Sequence, residues 1–319
     1  MNTMRDAVAI GEMLIDFTPM KNTGSDKPVY EANPGGAPAN VLAAMSKFGL
    51  KTALIAKVGD DFFGQFLTQY LVDYNIDPAG VVKSSNPTTL AFVNLAENGE
   101  RSFGFYRKGN ADESLSIEEI PNSLIESARL VHFGSVSLTA SPASDATFHV
   151  VKLAKELGKI VTYDPNLRPL LWDNLGRAKE MILKGFEYAD VVKVSEEELE
   201  FLTGFTDIEQ GSAVLVEKYN TPLLFVTLGA EGCVVRKGNQ TAHVPSFKVS
   251  AIDTTGAGDS FFGAILAQLL NASKSIAELS IDELLPIIRY ANAMAALTTT
   301  NRGGMPAIPE VAAVDAFIK

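Results

Sequence analysis

The chain opens with an apolar run, Ala7–Ile10, which continues to Phe17 and predicts a first strand. Pro34, Gly35, Gly36 and Pro38 break the pattern. ANVLAAMSKFGL follows with apolar positions at helical spacing and Gly49 at the place of a C-cap. TALIAKVG is continuously apolar, as expected of a strand covered on both faces. DDFFGQFLTQYLVDYN predicts a helix with acidic residues in its first turn, where they complement the helix dipole.

The period then changes. TTLAFVNLAENGERSFGFYR reads as two alternating runs joined through Asn98-Gly99, a type I′ hairpin signal. Afterwards LVHFGSV, KIVTYDP, DVVKVS and PLLFVTLG read as strands, separated by helical stretches such as ATFHVVKLAKELG and LGRAKEMILKGFEYA. Alternation of strand and helix predicts an α/β fold with a mainly parallel central sheet and helices on both faces. The hairpin predicts a small inserted β-sheet. No repeat or linker divides residues 1–319, so one α/β domain is expected. In such sheets ligands bind beyond the carboxyl ends of the strands, which is where chemistry is sought.

Composition narrows the classes. The chain has 319 residues, is 46% hydrophobic and 20% charged, and has a net charge of −11. So acidic a surface repels nucleic-acid backbones and anionic lipid, and neither nucleic acid nor membrane is an expected partner. Cys233 is the single cysteine, which excludes an intramolecular disulfide, and its strand-like surroundings predict an inert buried thiol. His132, His149 and His243 lack ligand spacing, so no histidine metal site is expected. Asp6, Glu12 and Asp16 interrupt the first apolar run, which argues against a signal peptide or membrane span and for a cytoplasmic protein.

The sharpest chemistry lies in Ser250-Ala-Ile-Asp253-Thr-Thr-Gly256-Ala257-Gly258-Asp259-Ser-Phe-Phe-Gly263. A turn of small residues runs directly into an amphipathic helix. Its backbone can approach a ligand closely, and the N–H groups of a helix start attract anions. Asp is favoured in a first turn for the dipole alone. Here Asp253, Thr254 and Thr255 add oxygens around the same point. A phosphoryl cradle beside a carboxylate that accepts a hydroxyl proton accounts for the whole string. No G-x-x-x-x-G-K-[ST] loop occurs, so this is no P-loop enzyme, and GEMLIDFTP after the first strand lacks the G-x-G-x-x-G of a nicotinamide-dependent oxidoreductase.

DTTGAGDSF resembles the C-terminal signature of the ribokinase-like carbohydrate kinases, and Pro34-Gly-Gly-Ala-Pro-Ala-Asn40-Val with VGDDFFG resembles the N-terminal one. The resemblance covers essentially the whole chain and implies the ribokinase-like fold, with a small β lid formed by segments near 12–34 and 88–112. It implies Asp259 as general base, with an anion hole from the N–H groups of Gly256, Ala257 and Gly258. Asp16, Gly35, Gly36 and Asn40 resemble the sugar-binding positions. Lys193, Ser195 and Glu198 occupy the family's Asn-x-x-Glu region, with Ser195 in place of Asn; Glu198 matches the position that organises Mg²⁺ through waters. Thr227, Gly229 and Gly232 resemble the strand-turn at the phosphates and ribose, and Asn292 the adenine side. Asp253, Thr255, Asn301 and Gly303 resemble a monovalent-cation loop, although Ala307 stands where some relatives carry a hydroxyl. The implied ligands are a sugar, ATP, Mg²⁺ and K⁺, and the resemblance implies a homodimer paired through the lid.

For the sugar, GGAPANV, Phe105-Tyr106-Arg107 with Ala111-Asp112, and Asp164-Pro-Asn-Leu-Arg168 with Trp172 lean towards the fructokinase branch. Arg107 and Arg168 then offer rigid donor forks to a ketose, the other reading of each being a surface ion pair. The same arginines fit a 2-keto-3-deoxygluconate kinase. Lys21, Lys27, Arg101, Arg107 and Lys108 are the cations a phosphosugar kinase would use in its lid. Nucleoside and aminoimidazole-riboside kinases are further alternatives, as is a non-catalytic sugar-binding protein. Fructose is the expected acceptor, giving fructose 6-phosphate.

Overall fold

In the computed structural model of this chain, residues 4–20, 27–95 and 101–319 are described, and the side chains at 94, 95 and 101–103 are left aside. The strands are β1 Arg5–Ile10, β2 Leu14–Pro19, β3 Tyr30–Gly35, β4 Thr52–Gly59, β5 Ile76–Ser84, β6 Leu90–Leu95, β7 Arg101–Tyr106, β8 Ala128–Phe133, β9 Ile160–Tyr163, β10 Val191–Ser195, β11 Leu223–Thr227, β12 Cys233–Lys237 and β13 Gln240–Val244. The helices are α1 Ala37–Lys47, α2 Phe62–Asp73, α3 Asn122–Ser127, α4 Ala143–Glu156, α5 Leu175–Phe186, α6 Glu196–Thr203, α7 Ile208–Tyr219, α8 Ala257–Asn271, α9 Ile281–Thr298 and α10 Val311–Ile318.

Nine strands form the large sheet in the order β13-β12-β11-β10-β9-β8-β1-β4-β5. From β11 to β5 every pairing is parallel; β12 and β13 close one edge antiparallel. Side chains alternate across the pleat. Ala7 and Ala9 face a core with α1, α2, α8, α9 and α10, whereas Val8 and Ile10 face a second core with α3 to α7. The central strands are therefore mostly apolar on both faces, as β4 shows with all its residues buried.

The small sheet has the order β3-β2-β6-β7, with β2 antiparallel to β3 and parallel to β6, and β6 antiparallel to β7. It packs over α2 through Phe17, whose ring stacks on Phe92 at 4.7 Å and meets Phe63 edge-on at 5.8 Å. The expected first strand running on to Phe17 is in fact two strands in different sheets. The break falls at Glu12, whose carboxylate has no place inside a strand covered by apolar layers; it turns instead to the start of α1 and accepts from the Ala37 N–H at 3.0 Å. The acidic pair before α2 is also re-placed. Asp61 is the N-cap, accepting from the Gly64 N–H at 2.7 Å, and it ties α2 to the small sheet by accepting from the Thr88 N–H and hydroxyl, both at 2.8 Å. Asn98-Gly99, Lys21 and the Arg101 side chain lie outside the described residues. Gly49, at φ 76°, follows the last turn of α1 as expected. No helix among the described residues is long and apolar enough to cross a membrane.

Candidate active site

The carboxyl ends of β1, β8, β9 and β10, the start of α8 and the small sheet enclose a cavity of about 510 Å³. Asp259 stands in its wall, in the first turn of α8, and is 7% exposed. Gly256 caps that helix at φ 76°, a left-handed conformation that a residue with a Cβ adopts only under strain. Asn40 Nδ2, from α1, donates to Asp259 Oδ2 at 2.7 Å, and Asn166 Nδ2 donates to Oδ1 at 3.0 Å. Burial pushes the Asp259 carboxyl up, opposed by Asn40, the Lys193 ammonium, the Arg168 guanidinium and Asn166. Of the expected anion-hole amides, that of Ala257 donates to Thr254 O at 3.3 Å; Gly256 and Gly258 line the cavity.

Asn166 is held by a buried ion pair. Asp164, just past β9, accepts from Lys193 Nζ at 2.9 and 3.2 Å and from the Asn166 N–H at 3.1 Å. Asn166 itself sits at φ 49°, which turns its amide back towards Asp259. The Asp164 and Lys193 side chains are 1% and 8% exposed, and the charge of Asp164 keeps Lys193 protonated despite burial.

Towards the small sheet the cavity is lined by Glu12, Leu14, Asp16, Gly36, Ala37, Asn40 and Phe105. Asp16 is pushed up to about 7 by burial first, with Arg168 opposing and Asp259 and Asp253 adding to the rise. A Cβ on Gly35 would stand 2.2 Å from its Oδ2, so only glycine leaves the carboxylate in place. Glu12 is likewise raised to about 7, chiefly by burial. Arg168 lines this cavity and a neighbouring one of about 330 Å³, whose wall also holds Lys193, Ser195, Glu197 and Glu198. Arg107 is elsewhere. Its side chain is 2% exposed, pairs with Asp112 at 2.6 Å, and donates to Thr139 Oγ1 at 2.8 Å and Val136 O at 3.1 Å. The expected sugar fork is a bolt between the end of β7 and the loop after β8, because a neighbouring carboxylate and two oxygens engage all three of its nitrogens.

The nucleotide-side residues are dispersed. Ser195 and Glu198 form the capping box of α6: Ser195 Oγ accepts from the Glu198 N–H at 3.1 Å, and Glu198 accepts from the Ser195 N–H at 2.8 Å and the Leu167 N–H at 2.7 Å. Thr227, Gly229, Gly232 and Asn292 line neither cavity. Asn292 spends its amide on Val244 O at 2.9 Å and Pro245 O at 3.2 Å. The loops of the expected cation site do meet. Asp253 accepts from the Thr255 N–H at 2.8 Å and the Gly303 N–H at 3.2 Å, while the side chain of the exposed Asn301 donates to Thr300 Oγ1 at 3.5 Å. Among the described residues no group of three or more His, Cys, Asp or Glu could hold a metal ion. Cys233 is buried, and His132 is driven down to about 3, mainly by burial, beside Thr162.

Glu12, Asp164 and Asn166 were not among the expected site residues. The last two stood in the DPNLR string, of which only Arg168 was singled out for a role, and Glu12 read as a mere interruption of an apolar run.

Residues 4–311 match the pfkB family of carbohydrate kinases. The chain belongs to this family. A fructokinase-1 of Zea mays is 44% identical over 310 residues, spanning 96% of this chain and 95% of the relative. Fructokinase from Vibrio cholerae O395, solved with fructose, ADP and calcium bound, superposes with a TM-score of 0.89 at 36% identity and covers 99% of both chains. Fructokinase from Xylella fastidiosa with bound ATP gives a TM-score of 0.90 at 31% identity over 99% of this chain and 98% of its own. As a pfkB-family member the chain is an ATP-dependent sugar kinase with the ribokinase-like architecture.

Proposed function

We propose that this pfkB-family kinase transfers the γ-phosphoryl group of Mg-ATP to D-fructose, giving fructose 6-phosphate and ADP. The observation that carries this reading is a buried carboxylate at the head of α8, gripped by two asparagine amides in the wall of a cavity that also holds Asp16. Carboxylate and amide oxygens suit a polyhydroxylated acceptor, because each takes more than one hydroxyl hydrogen bond. The fructokinase names of the similar proteins support the choice of sugar.

In this mechanism Asp259 accepts the proton of the attacking hydroxyl as its oxygen bonds to the γ-phosphorus. The bond to the β,γ-bridging oxygen breaks in line, and ADP leaves. The N–H groups of Gly256 and Gly258, at the head of α8, face the charge on the transferring group, and Ala257, whose N–H leans on Thr254 O, shapes the turn between them. Asp16 and Asn40 hold the sugar, with Gly35 and Gly36 giving it room, and Arg168 stands where sugar and nucleotide meet. Glu198 keeps both oxygens on backbone N–H groups, so it fits Mg²⁺ through the metal's waters rather than as a direct ligand. The metal, arriving with ATP, supplies charge neutralisation of the phosphates. The meeting of the 253–255 and 299–303 loops supports K⁺ at Asp253 and Gly303. The small sheet acts as the lid that excludes water, which would otherwise compete as acceptor.

An ADP-release assay with Mg-ATP tests the reading, with fructose, 2-keto-3-deoxygluconate, ribose, adenosine and fructose 6-phosphate offered in parallel. Preference for fructose is expected; preference for another acceptor would overturn the substrate.

A further inference from the structure

At the amino ends of the parallel strands, opposite the active site, lies another cavity, of about 450 Å³. Arg129 of β8, Ile160 of β9, Asp190 before β10 and Pro222 before β11 line it. Leu269 and Leu270 close it from the last turn of α8. From Asp259 to Leu270 that helix rises about 16 Å, and the two cavities have no lining residue in common.

Charge here runs against the rest of the chain. Over the whole sequence 38 acidic residues outnumber 27 basic ones, yet this wall carries Arg129, Lys155, Lys159 and Lys274 against the single acid Asp190. Asp190 is engaged at both oxygens, by Lys155 Nζ at 2.6 Å and the Val161 N–H at 2.9 Å. Lys159 Nζ donates to Glu126 O at 2.7 Å, Lys274 Nζ to Glu283 at 2.5 Å, and Arg129 to Asp6 at 3.0 Å. Each ammonium gives these partners one of its three N–H groups. Like charges gathered on one wall repel, and an anion between them relieves that repulsion.

The carbonyls that would oppose an anion are themselves occupied by cations. Arg129 donates to Leu270 O at 2.6 Å, and Lys237 Nζ donates to Ile276 O and Ala277 O at 2.9 Å and also to Leu279 O. Glu278 accepts from the Ser275 N–H at 2.9 Å and its hydroxyl at 2.6 Å, so the loop after α8 is held from within. The rest of the wall is apolar, with Ile160, Leu269, Leu270 and Ile276 beside the cations.

We infer that this cavity binds a small organic phosphate with an apolar body. Its phosphate would lie among Lys155, Lys159 and Lys274, and its body against Leu269, Leu270 and Ile276. A phosphate offers three strong acceptor oxygens, which suits ammonium donors arriving from several sides. The volume leaves room for a ring beside it. The occupant rests on the last turn of the helix whose first turn carries Asp259.

Isothermal titration of the full chain tests this with phenyl phosphate as the probe and Mg-ADP and fructose in excess to occupy the active site. Phenyl phosphate should bind about 10- to 100-fold more tightly than inorganic phosphate, the gain coming from the buried ring. Benzyl alcohol, which has the ring without the charge, should give no measurable heat. Lys159→Glu should weaken phenyl phosphate by about tenfold, with basal turnover unchanged because Lys159 lies outside the active site. Lys274→Glu, on the exposed loop, answers the same question should Lys159→Glu not fold. Unchanged affinity in a folded variant, equal binding of phenyl and inorganic phosphate, or no binding of phenyl phosphate to the wild-type chain would overturn the inference.

Discussion

Asn40 Nδ2 lies 2.7 Å from Asp259 Oδ2 across 219 residues of sequence, joining the first helix after the small sheet to the first turn of α8. Asn166 holds the other oxygen at 3.0 Å. These contacts fix the carboxylate plane and oppose the upward pull of burial on its proton affinity. Removing either amide should raise the Asp259 pKa further. The base is then protonated at higher pH, so kcat should begin to fall earlier on acidification. In Asn40→Ala and Asn166→Ala a drop of about 10- to 100-fold in kcat is expected, with the acid limb of the pH–rate profile displaced upward. An unmoved limb would show that the asparagines do not tune the base.

Asp16 carries a pH dependence of its own. Its folded pKa is raised to about 7, so it ionises as pH rises through that value. Only the ionised form is a pure acceptor for sugar hydroxyls. kcat/KM for fructose should accordingly decline as pH falls below about 7, and Asp16→Asn should remove that limb. A limb at unchanged pH in the variant would assign it to another carboxyl.

Glu12 should reveal itself in stability. Its carboxyl rises from 4.5 to about 7 on folding, so its contribution is fully present below 4.5 and is lost as pH rises through about 7. Glutamine keeps an acceptor for the Ala37 N–H without ionising. The Tm of Glu12→Gln relative to wild type should thus be higher at pH 8.5 than at pH 5, a difference of about several degrees in thermal melts. Equal differences at both pH values would place the charge of Glu12 in solvent.

Arg107 should behave as a structural bolt. Arg107→Met strands the Asp112 carboxylate, which is 2% exposed. Loss of one partner of a buried pair costs about 3–5 kcal/mol, to be read from denaturant unfolding. The fructose KM of the surviving protein should change little. A large rise in KM at unchanged stability would return Arg107 to the sugar.

Much of this was legible in the sequence, and the misses have physical causes. The β4 run and the α8 turn were readable because local pattern and burial agree: TALIAKVG is covered on both faces, and Gly256 needs its left-handed φ. Periodicity could not separate β1 from β2, since an apolar stretch runs through both and what differs is the sheet each one joins. Arg107 misled because charge advertises itself in sequence while its neighbour Asp112, five residues on, neutralises it in space. Asn166 was missed for the opposite reason. An amide in a loop has no sequence signal, and its role comes from a left-handed backbone and from a carboxylate 93 residues away.

The central claim is that Asp259 takes the acceptor's proton. Asp259→Asn keeps the shape of the side chain and removes the base. Steady-state turnover of Mg-ATP with fructose should fall by about 10²- to 10⁴-fold, with the thermal midpoint near that of wild type. Turnover within a few-fold of wild type in the folded variant would contradict the account.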